Sequence, residues 1–258
     1  MLPMEKIKPY LVEKPWGGNF LSKFYQTEKQ NIGEAWLLST LPDGESKVGD
    51  QKLSDYLGKD LSFLIKIIDA KDPLSIQVHP NDEWAKKLEN SRGKTECWLI
   101  LDSTPGSGLY LGLKEGVNES QFREAIVKNE SVEDLMKFYP AERGDFISVP
   151  AGTIHAIGGG VTLMEVQQSS GITYRLWDWG RPGRELHIDK GLKVCDYQPR
   201  FEIKKNIYKT VKSGLLLKHQ DFETYLNHYQ GKGWFIDLKT YEVYFGDSPL
   251  TDSFLFVR

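Results

Sequence analysis

Along most of its length the chain alternates short apolar stretches with turn-forming residues. The apolar stretches are rich in Trp, Tyr, Phe, Val and Ile, and Gly, Pro, Asp or Asn separates them. Short apolar segments at this spacing predict an all-β protein, either a sandwich or a barrel. The segments that we expect to form strands are residues 63–70, 74–79, 96–102, 145–149 and 161–167. Strands do not alternate with helices, which argues against a dinucleotide-binding parallel sheet.

Residues 118–139 depart from this pattern. They contain few turn residues, and apolar side chains recur at helical spacing over residues 122–126. Ser131 followed by Asp134 resembles a capping box at the start of a second helix, with Phe138 in an apolar stripe behind it. We therefore predict two short helices inserted between strands, which either pack as an appendage or close over a substrate.

The pattern of residue types changes again from about residue 187. The further strands that we expect here are residues 200–212, which are also basic, 215–217, 231–238 and 241–245. We therefore divide the chain into a first unit over residues 1–186 and a smaller C-terminal β unit over residues 187–258.

Composition and charge exclude several partners. Lys and Arg number 33 against 36 Asp and Glu, which gives a net charge of −3 with both signs mixed along the chain. Nucleic acid requires a basic stripe, which the sequence lacks. Residues 1–14 lack the apolar core of a signal peptide, and no segment approaches the roughly 20 apolar residues of a membrane span. Cys97 and Cys195 lie far apart, so we expect two free thiols and a cytoplasmic location.

Two polar side chains share one face of the predicted strand over residues 74–79. In this strict alternation Gln77 and His79 fall on the face opposite the apolar residues. Two donor groups two residues apart on a strand can bind one metal ion, and they can equally form the polar face of a half-exposed strand. Further along, Lys94 and Glu96 precede an apolar strand on one face, as metal-site residues or as a surface ion pair.

A third cluster has more specific spacing. From Gly144 the chain reads Gly, five residues, Pro, one residue, Gly, two residues and His, ending at His155. Gly144 turns the chain into a strand, and Pro150 with Gly152 forms a sharp exit that delivers His155 to the interior. This pattern resembles the second sequence motif of the cupin superfamily. The resemblance implies an all-β cupin jelly roll, or double-stranded β-helix, with a helical insertion and a second, reduced β unit.

Other motifs resemble those of the type I mannose-6-phosphate isomerase family, over roughly residues 10–185. They are residues 14–18 (KPWGG), 32–36 (IGEAW), 77–82 (QVHPND), 93–96 (GKTE) and 173–178 (TYRLWD). The resemblance implies one metal ion per chain, Zn²⁺ by preference and Mn²⁺, Fe²⁺ or Co²⁺ as alternatives. The implied ligands are Gln77, His79, Glu96 and His155.

The same resemblance implies an aldose–ketose isomerase that interconverts mannose 6-phosphate and fructose 6-phosphate through a cis-enediolate. Glu165 lies ten residues beyond the last implied ligand and Arg175 ten further, close to the family's spacing. Glu165 would then transfer the proton, Arg175 would bind the developing negative charge, and Lys94 would attract the anionic substrate. On the residues alone, Glu165 can equally form an ordinary ion pair and Arg175 a bridge to Asp178.

Two other functions stay open. A metal-dependent oxygenase would keep the cupin fold, although such enzymes hold their metal with more His. A non-catalytic protein that binds a sugar phosphate is a second alternative, because family members carry a fuller C-terminal unit than we expect here. For the isomerase that the resemblance implies, the expected partner is a small sugar phosphate, bound by a monomer or a homodimer.

Several aromatic side chains and histidines remain. Trp84 and the pair Trp177 and Trp179 could stack on a sugar ring or pack in the core, and the sequence favours neither. The remaining histidines lack ligand-like neighbours, so we expect no metal at His187, His219 or His228.

Overall fold

A computed structural model describes residues 6–258, which form mainly antiparallel strands. In chain order the strands are β1 (Ile7–Lys8), β2 (Tyr10–Gly18), β3 (Ile32–Leu38), β4 (Lys47–Val48), β5 (Gln51–Lys52), β6 (Phe63–Ala70), β7 (Ile76–Val78), β8 (Glu96–Ser103), β9 (Gly108–Leu113), β10 (Met136–Pro140), β11 (Phe146–Val149), β12 (His155–Ile157), β13 (Val161–Gln168), β14 (Tyr174–Trp177), β15 (Glu202–Lys204), β16 (Gly214–Lys218), β17 (Glu223–Leu226), β18 (Gly233–Asp237), β19 (Val243–Gly246) and β20 (Phe254–Val257). The helices are α1 (Phe20–Phe24), α2 (Leu53–Leu57), α3 (Asp82–Glu89), α4 (Glu119–Lys128), α5 (Ile188–Val194) and α6 (Ile207–Thr210). Of these helices, none has the length and apolar character needed to cross a membrane.

Two antiparallel sheets face each other. One has seven strands in the order β15-β11-β8-β13-β6-β2-β3, and the other has five in the order β10-β9-β12-β7-β14. A small sheet of β1, β4 and β5 lies apart from them. All five strands expected in the first unit are present, as β6, β7, β8, β11 and β13. The paired sheets confirm the predicted all-β class and the cupin jelly roll.

The central strands of the seven-stranded sheet contribute to two apolar layers, because side chains alternate along a strand. On β8, Trp98 and Ile100 join a cluster that also contains Leu109 and Leu111 of the facing sheet. The alternate β8 residues, such as Leu99, join a second cluster on the opposite face. The central strands are therefore covered on both faces, which explains their nearly continuous apolar sequence.

The predicted insertion is only partly helical. Its first helix is α4, where Asn118 and Gln121 form the capping box. The prediction of a second helix was wrong. A short 3-10 turn over Val132–Leu135 is followed by β10, and Ser131 makes no side-chain cap. Phe138, expected in an apolar helical stripe, lies on β10 and is 44% exposed. Pairing of β10 with β9 supplies backbone hydrogen bonds that outweigh the weak local helical signal.

The C-terminal residues form a third sheet in the order β16-β17-β20-β18-β19. One face, with Trp234 and Ile236 among its residues, packs on the outer layer of the seven-stranded sheet. The strand-like interpretation of residues 200–212 was largely wrong, since only β15 is extended and α6 follows it. The boundary at residue 187 stays a prediction, and beyond it α5 contacts β14 and β15 pairs with β11.

Candidate active site

The four implied ligands lie on or beside strands β7, β12 and β8, which bring them together. Gln77 on β7 lies directly opposite His155 on β12, because these strands pair in that register. His79 follows β7, and its carbonyl accepts a hydrogen bond from the Gly152 backbone at 2.8 Å. Gly152 has a φ of +89°, which favours glycine at the turn before β12. Glu96 begins β8 in the facing sheet, so its carboxylate enters the same interior.

The side chains form a compact buried cluster. Nε2 of His79 lies 3.5 Å from Oε2 of Glu96, and Nε2 of His155 lies 3.3 Å from Oε1. The nearest donor atoms of these three residues are all within 4.8 Å of one another. The Gln77 amide lies 3.2 Å from His155 Nε2. The structure thus brings together all four residues that the family resemblance implied, while their role as ligands stays a prediction.

Both imidazoles are oriented by backbone carbonyls. Nδ1 of His79 is 2.9 Å from the Ile172 carbonyl, and Nδ1 of His155 is 2.9 Å from the Thr153 carbonyl. A carbonyl only accepts, so each Nδ1 carries the proton and donates it. Each Nε2 therefore presents a lone pair to the cluster, which is the form of histidine that binds metals.

The donor set fits a divalent cation. His79 Nε2 and both Glu96 carboxylate oxygens are buried without a hydrogen-bond partner among the described residues. Such buried atoms cost about 1–3 kcal/mol each unless something compensates them. Half a turn of the Gln77 amide exchanges which of its atoms faces the cluster, so its oxygen is available as well. Two imidazoles, a carboxylate and an amide oxygen form a mixed nitrogen and oxygen site that suits Zn²⁺.

Burial dominates the electrostatics of the cluster. Together with the nearby Glu165 carboxylate, it raises the pKa of Glu96 to about 8, against the opposing effect of Lys94 and Lys66. It lowers the pKa of His155 to about 4 and that of His79 well below its usual value, with Lys94 contributing in the same direction. Without a cation, the cluster therefore favours neutral imidazoles and resists carboxylate ionisation. A bound cation would reverse the penalty on Glu96.

A chain of charged side chains continues from the cluster across the inner face of the seven-stranded sheet. Lys66 on β6 lies 2.9 Å from Glu165 on β13 and 3.7 Å from Glu34 on β3. Lys14 lies 3.2 Å from the same Glu34 carboxylate. Burial raises the pKa of Glu34, but Lys66 and Lys14 outweigh it and lower the pKa to about 2. Burial opposes the positive charge on Lys66, and the two carboxylates raise its pKa above the usual value.

One cavity of about 100 Å³ joins these groups to Gln77 of the cluster. Larger clefts of about 670 and 570 Å³ lie elsewhere, beside Asp69 and Tyr25. We place the site at the smaller cavity because only there do a candidate metal ligand and several charged side chains meet among the described residues. The charged residues that line it are Lys14, Glu34, Lys66, Lys94, Glu165, Arg175 and Arg184.

The three residues assigned to catalysis by the resemblance all line this cavity. Lys94 is buried and lies 3.5 Å from Glu96, so the surface ion pair considered above is wrong. Glu165 is indeed paired inside the barrel, with Lys66, and Trp98 donates to it at 3.1 Å. Arg175 donates to the Glu185 carbonyl at 2.7 Å. Their catalytic roles remain predictions.

The carboxylate expected to bridge to Arg175 has other partners. Asp178 accepts hydrogen bonds from Arg181 at 2.6 Å and from Arg184 at 3.2 Å. Arg184 and Lys66 are cavity residues that the sequence reasoning missed. For Lys66 a signal existed, because a single lysine inside the apolar run FLIKIIDA predicts a buried and paired charge. Arg184 lies in a loop, where no periodicity could indicate its direction.

The remaining aromatic residues and histidines lie away from the cavity wall. Trp177 belongs to the buried cluster on the outer face of the five-stranded sheet, and Trp84 and Trp179 are partly buried against that cluster. The cavity lining includes none of the three. Trp16 is the tryptophan that lines the cavity within the described chain. The histidines outside the cluster contact other groups, among them Glu185, Asp221 and Tyr225.

Comparisons with known proteins agree with this geometry. Residues 4–98 match the family model described as phosphomannose isomerase type I, catalytic domain. The chain is 34% identical over 212 residues to mannose-6-phosphate isomerase ManA of Bacillus subtilis, covering 73% of this chain and 67% of the relative. It is 36% identical over 205 residues to mannose-6-phosphate isomerase of Streptococcus mutans, covering 70% of this chain and 64% of the relative.

Solved structures show the same fold. The mannose 6-phosphate isomerase from Bacillus subtilis superposes with a TM-score of 0.76 at 22% identity, covering 98% of both chains. The apo enzyme from Salmonella typhimurium gives 0.67 at 15% identity, covering 100% of this chain and 97% of that one. The fold, the sequence relatives and the family model that matches residues 4–98 all agree. The chain belongs to the type I mannose-6-phosphate isomerase family.

Proposed function

We propose that this protein interconverts mannose 6-phosphate and fructose 6-phosphate with the help of one divalent cation, Zn²⁺ by preference. The observation that carries the proposal is the buried cluster of His79, Glu96 and His155, which adjoins a cavity lined by cationic side chains. Within the described chain, His79 Nε2 and both Glu96 oxygens have no hydrogen-bond partner. The relatives' names supply the substrate. A cation held by these residues and Gln77 would polarise the sugar oxygens as a Lewis acid.

Glu165 is the candidate for proton transfer between C1 and C2. It is buried, lines the cavity and is held on both sides, by Lys66 at 2.9 Å and by the Trp98 indole at 3.1 Å. A carboxylate fixed in this way can remove a proton from one carbon and return it to the next without rearranging. Positioned general bases contribute on the order of 10²–10⁴-fold to a rate.

Arg175 and Lys94 supply positive charge to the same cavity. The Arg175 guanidinium is anchored by the Glu185 carbonyl, and its Nε is buried without a partner among the described residues. Burial lowers the pKa of Arg175, and the neighbouring Arg184 lowers it further. Negative charge that develops on the sugar oxygens would relieve this unfavourable state, which stabilises the enediolate.

The first experiment is a coupled assay for fructose 6-phosphate formed from mannose 6-phosphate, with and without a chelator. We expect activity that the chelator abolishes and Zn²⁺ restores. A folded, zinc-loaded protein that binds the substrate without converting it would contradict the isomerase proposal and favour a non-catalytic sugar-phosphate-binding protein. Oxygen consumption under the same conditions would instead favour an oxygenase.

The role of Glu165 is tested separately with Glu165→Gln. We expect turnover to fall by at least about 10²-fold while the zinc content stays near that of the wild type. The matched control is Glu115→Gln, at an exposed glutamate. A Glu165→Gln enzyme with near-normal kcat would remove Glu165 from proton transfer.

A further inference from the structure

The loop that follows β14 brings a second arginine to the cavity and is firmly anchored. Asp178 is buried and accepts hydrogen bonds from Arg181 at 2.6 Å and from Arg184 at 3.2 and 3.3 Å. The Trp179 indole donates to the Leu74 carbonyl at 2.6 Å, and Arg181 donates to the Pro73 carbonyl at 2.8 Å. The loop is therefore tied to the segment that leads into β7.

This anchoring places the loop beside the start of β7, whereas the metal-binding cluster lies towards its end. Leu74 and Gln77 are three residues apart, which corresponds to roughly 10 Å along an extended chain. Both line the cavity, and Arg184 lines it too. An extended six-carbon sugar can span such a distance, with its reacting end at Gln77 and its C6 end at the loop.

The charges in the cavity are not balanced. Its lining includes five cationic side chains and two carboxylates. Lys14 and Lys66 share those carboxylates, and Lys94 faces Glu96. The surplus lies on the arginines: Arg184 shares the single Asp178 carboxylate with another guanidinium, and Arg175 contacts a backbone carbonyl.

Arginine has the geometry that a phosphate needs. Its planar guanidinium offers five N–H donors, and both hydrogen bonds of Arg184 to Asp178 use Nη1. The side chain is about a quarter exposed, so its remaining donors can reach a ligand at the cavity mouth. Guanidinium groups bind phosphate oxygens in a two-point geometry that a lysine cannot reproduce.

We propose that Arg184 binds the phosphate of the substrate and that Asp178 is a positioning residue that holds Arg184 towards the cavity. This assignment rests on the proposed function for the identity of the substrate, a hexose 6-phosphate. It explains why a buried carboxylate orients two arginines beside a site that already has an excess of positive charge.

The test compares Arg184→Met, Arg184→Lys and the control Arg200→Met in steady-state kinetics with mannose 6-phosphate, and in competition by inorganic phosphate. Arg200 is exposed and absent from the cavity lining, so its loss removes one positive charge without touching the loop. A lost hydrogen bond to a charged group weakens binding by about 10- to 100-fold. We expect Arg184→Met to raise KM and the phosphate inhibition constant by this factor with little change in kcat, Arg184→Lys to fall between, and Arg200→Met to stay near the wild type.

An active wild-type enzyme whose KM and phosphate inhibition are unchanged in both Arg184 variants would overturn the phosphate assignment. An equal effect from Arg200→Met would also overturn it, since the net positive charge of the protein would then be the cause. If Arg184→Met does not fold, Arg184→Lys carries the test because it keeps the charge. If the wild type shows no isomerase activity, calorimetry with inorganic phosphate still decides: weaker binding in Arg184→Lys supports the site, and unchanged binding overturns it.

Discussion

The interior between the two facing sheets has an apolar half and a charged half, and single strands run through both. On β13, Leu163 belongs to the apolar cluster, while Glu165, two residues on and on the same face, belongs to the charged site. On β8 the order is reversed: Glu96 begins the strand and Ile100 lies in the apolar half. On the inner face of the seven-stranded sheet, apolar side chains thus give way to charged side chains within a few residues.

This contrast shows how the site is supported. Complete burial of a leucine contributes roughly 1.5–3 kcal/mol. Burial of a charge costs several kcal/mol unless partners compensate it. The apolar half therefore stabilises the strands, and the charged half depends on that stability to hold Lys66 and Glu165 away from water. Four substitutions test this division, taken from the largest expected effect to the smallest.

His155→Ala removes a candidate ligand from the charged half. We expect bound zinc to fall from one ion per chain towards none, and turnover to fall by about 10³-fold, because the cation supplies several kcal/mol of transition-state stabilisation. Metal analysis and the coupled assay measure both effects. His228→Ala is the control, since that ring contacts Tyr225 in the C-terminal sheet. Full metal content in His155→Ala would place the metal elsewhere.

Lys66→Met leaves two buried carboxylates, Glu165 and Glu34, without their shared partner. Breaking a buried pair in this way costs about 3–5 kcal/mol of unfolding free energy. Denaturant unfolding should show this loss, and the added change Glu165→Gln should recover part of it because one uncompensated charge disappears. Independent, additive effects of the two substitutions would show that the pair at 2.9 Å contributes no coupling.

Leu163→Ala tests the apolar half. The side chain is completely buried, so its truncation should cost about 2–5 kcal/mol of unfolding free energy. The folded fraction should keep a near-normal kcat, since the cavity lining is unchanged. Leu163→Met, which conserves volume, should cost less than about 1.5 kcal/mol. A loss of kcat with unchanged stability would contradict the separation of the two halves.

Phe138→Ser tests a residue outside both halves. Phe138 lies on β10, is 44% exposed and makes an edge-to-face ring contact with Tyr110, so we expect a loss of about 0.5–1.5 kcal/mol of unfolding free energy. The helical interpretation of residues 131–138 placed this side chain in an apolar stripe, which would make the same substitution costly. A thermal unfolding measurement therefore distinguishes the two pictures directly.

Much of the fold and the cluster could be predicted from the sequence because local rules and global structure agree there. Strict alternation placed Gln77 and His79 on one face, and the spacing from Gly144 to His155 specified a turn that only glycine enters readily. Such features are set within a few residues of chain, so they are readable without the tertiary structure.

The parts that could not be predicted depend on long-range pairing. Residues 136–140 became a strand because β9 was available beside them, which no local signal shows. Lys66 reaches Glu34 and Glu165 only through the register of three strands that are distant in sequence. Arg184 enters the cavity because Asp178 and the Pro73–Leu74 segment fix its loop. Periodicity carries no information about any of these contacts.

The two-sided strand β8 has one more consequence. Cys97 follows Glu96 directly, is buried, and packs in the layer shared with the C-terminal sheet, where Thr224 contacts it. The Cys97 thiol therefore stays inaccessible to solvent as long as the C-terminal sheet covers this face of β8. The rate at which Cys97 is alkylated therefore reports how often the C-terminal sheet separates from β8. It does so at the residue directly after the candidate metal ligand Glu96.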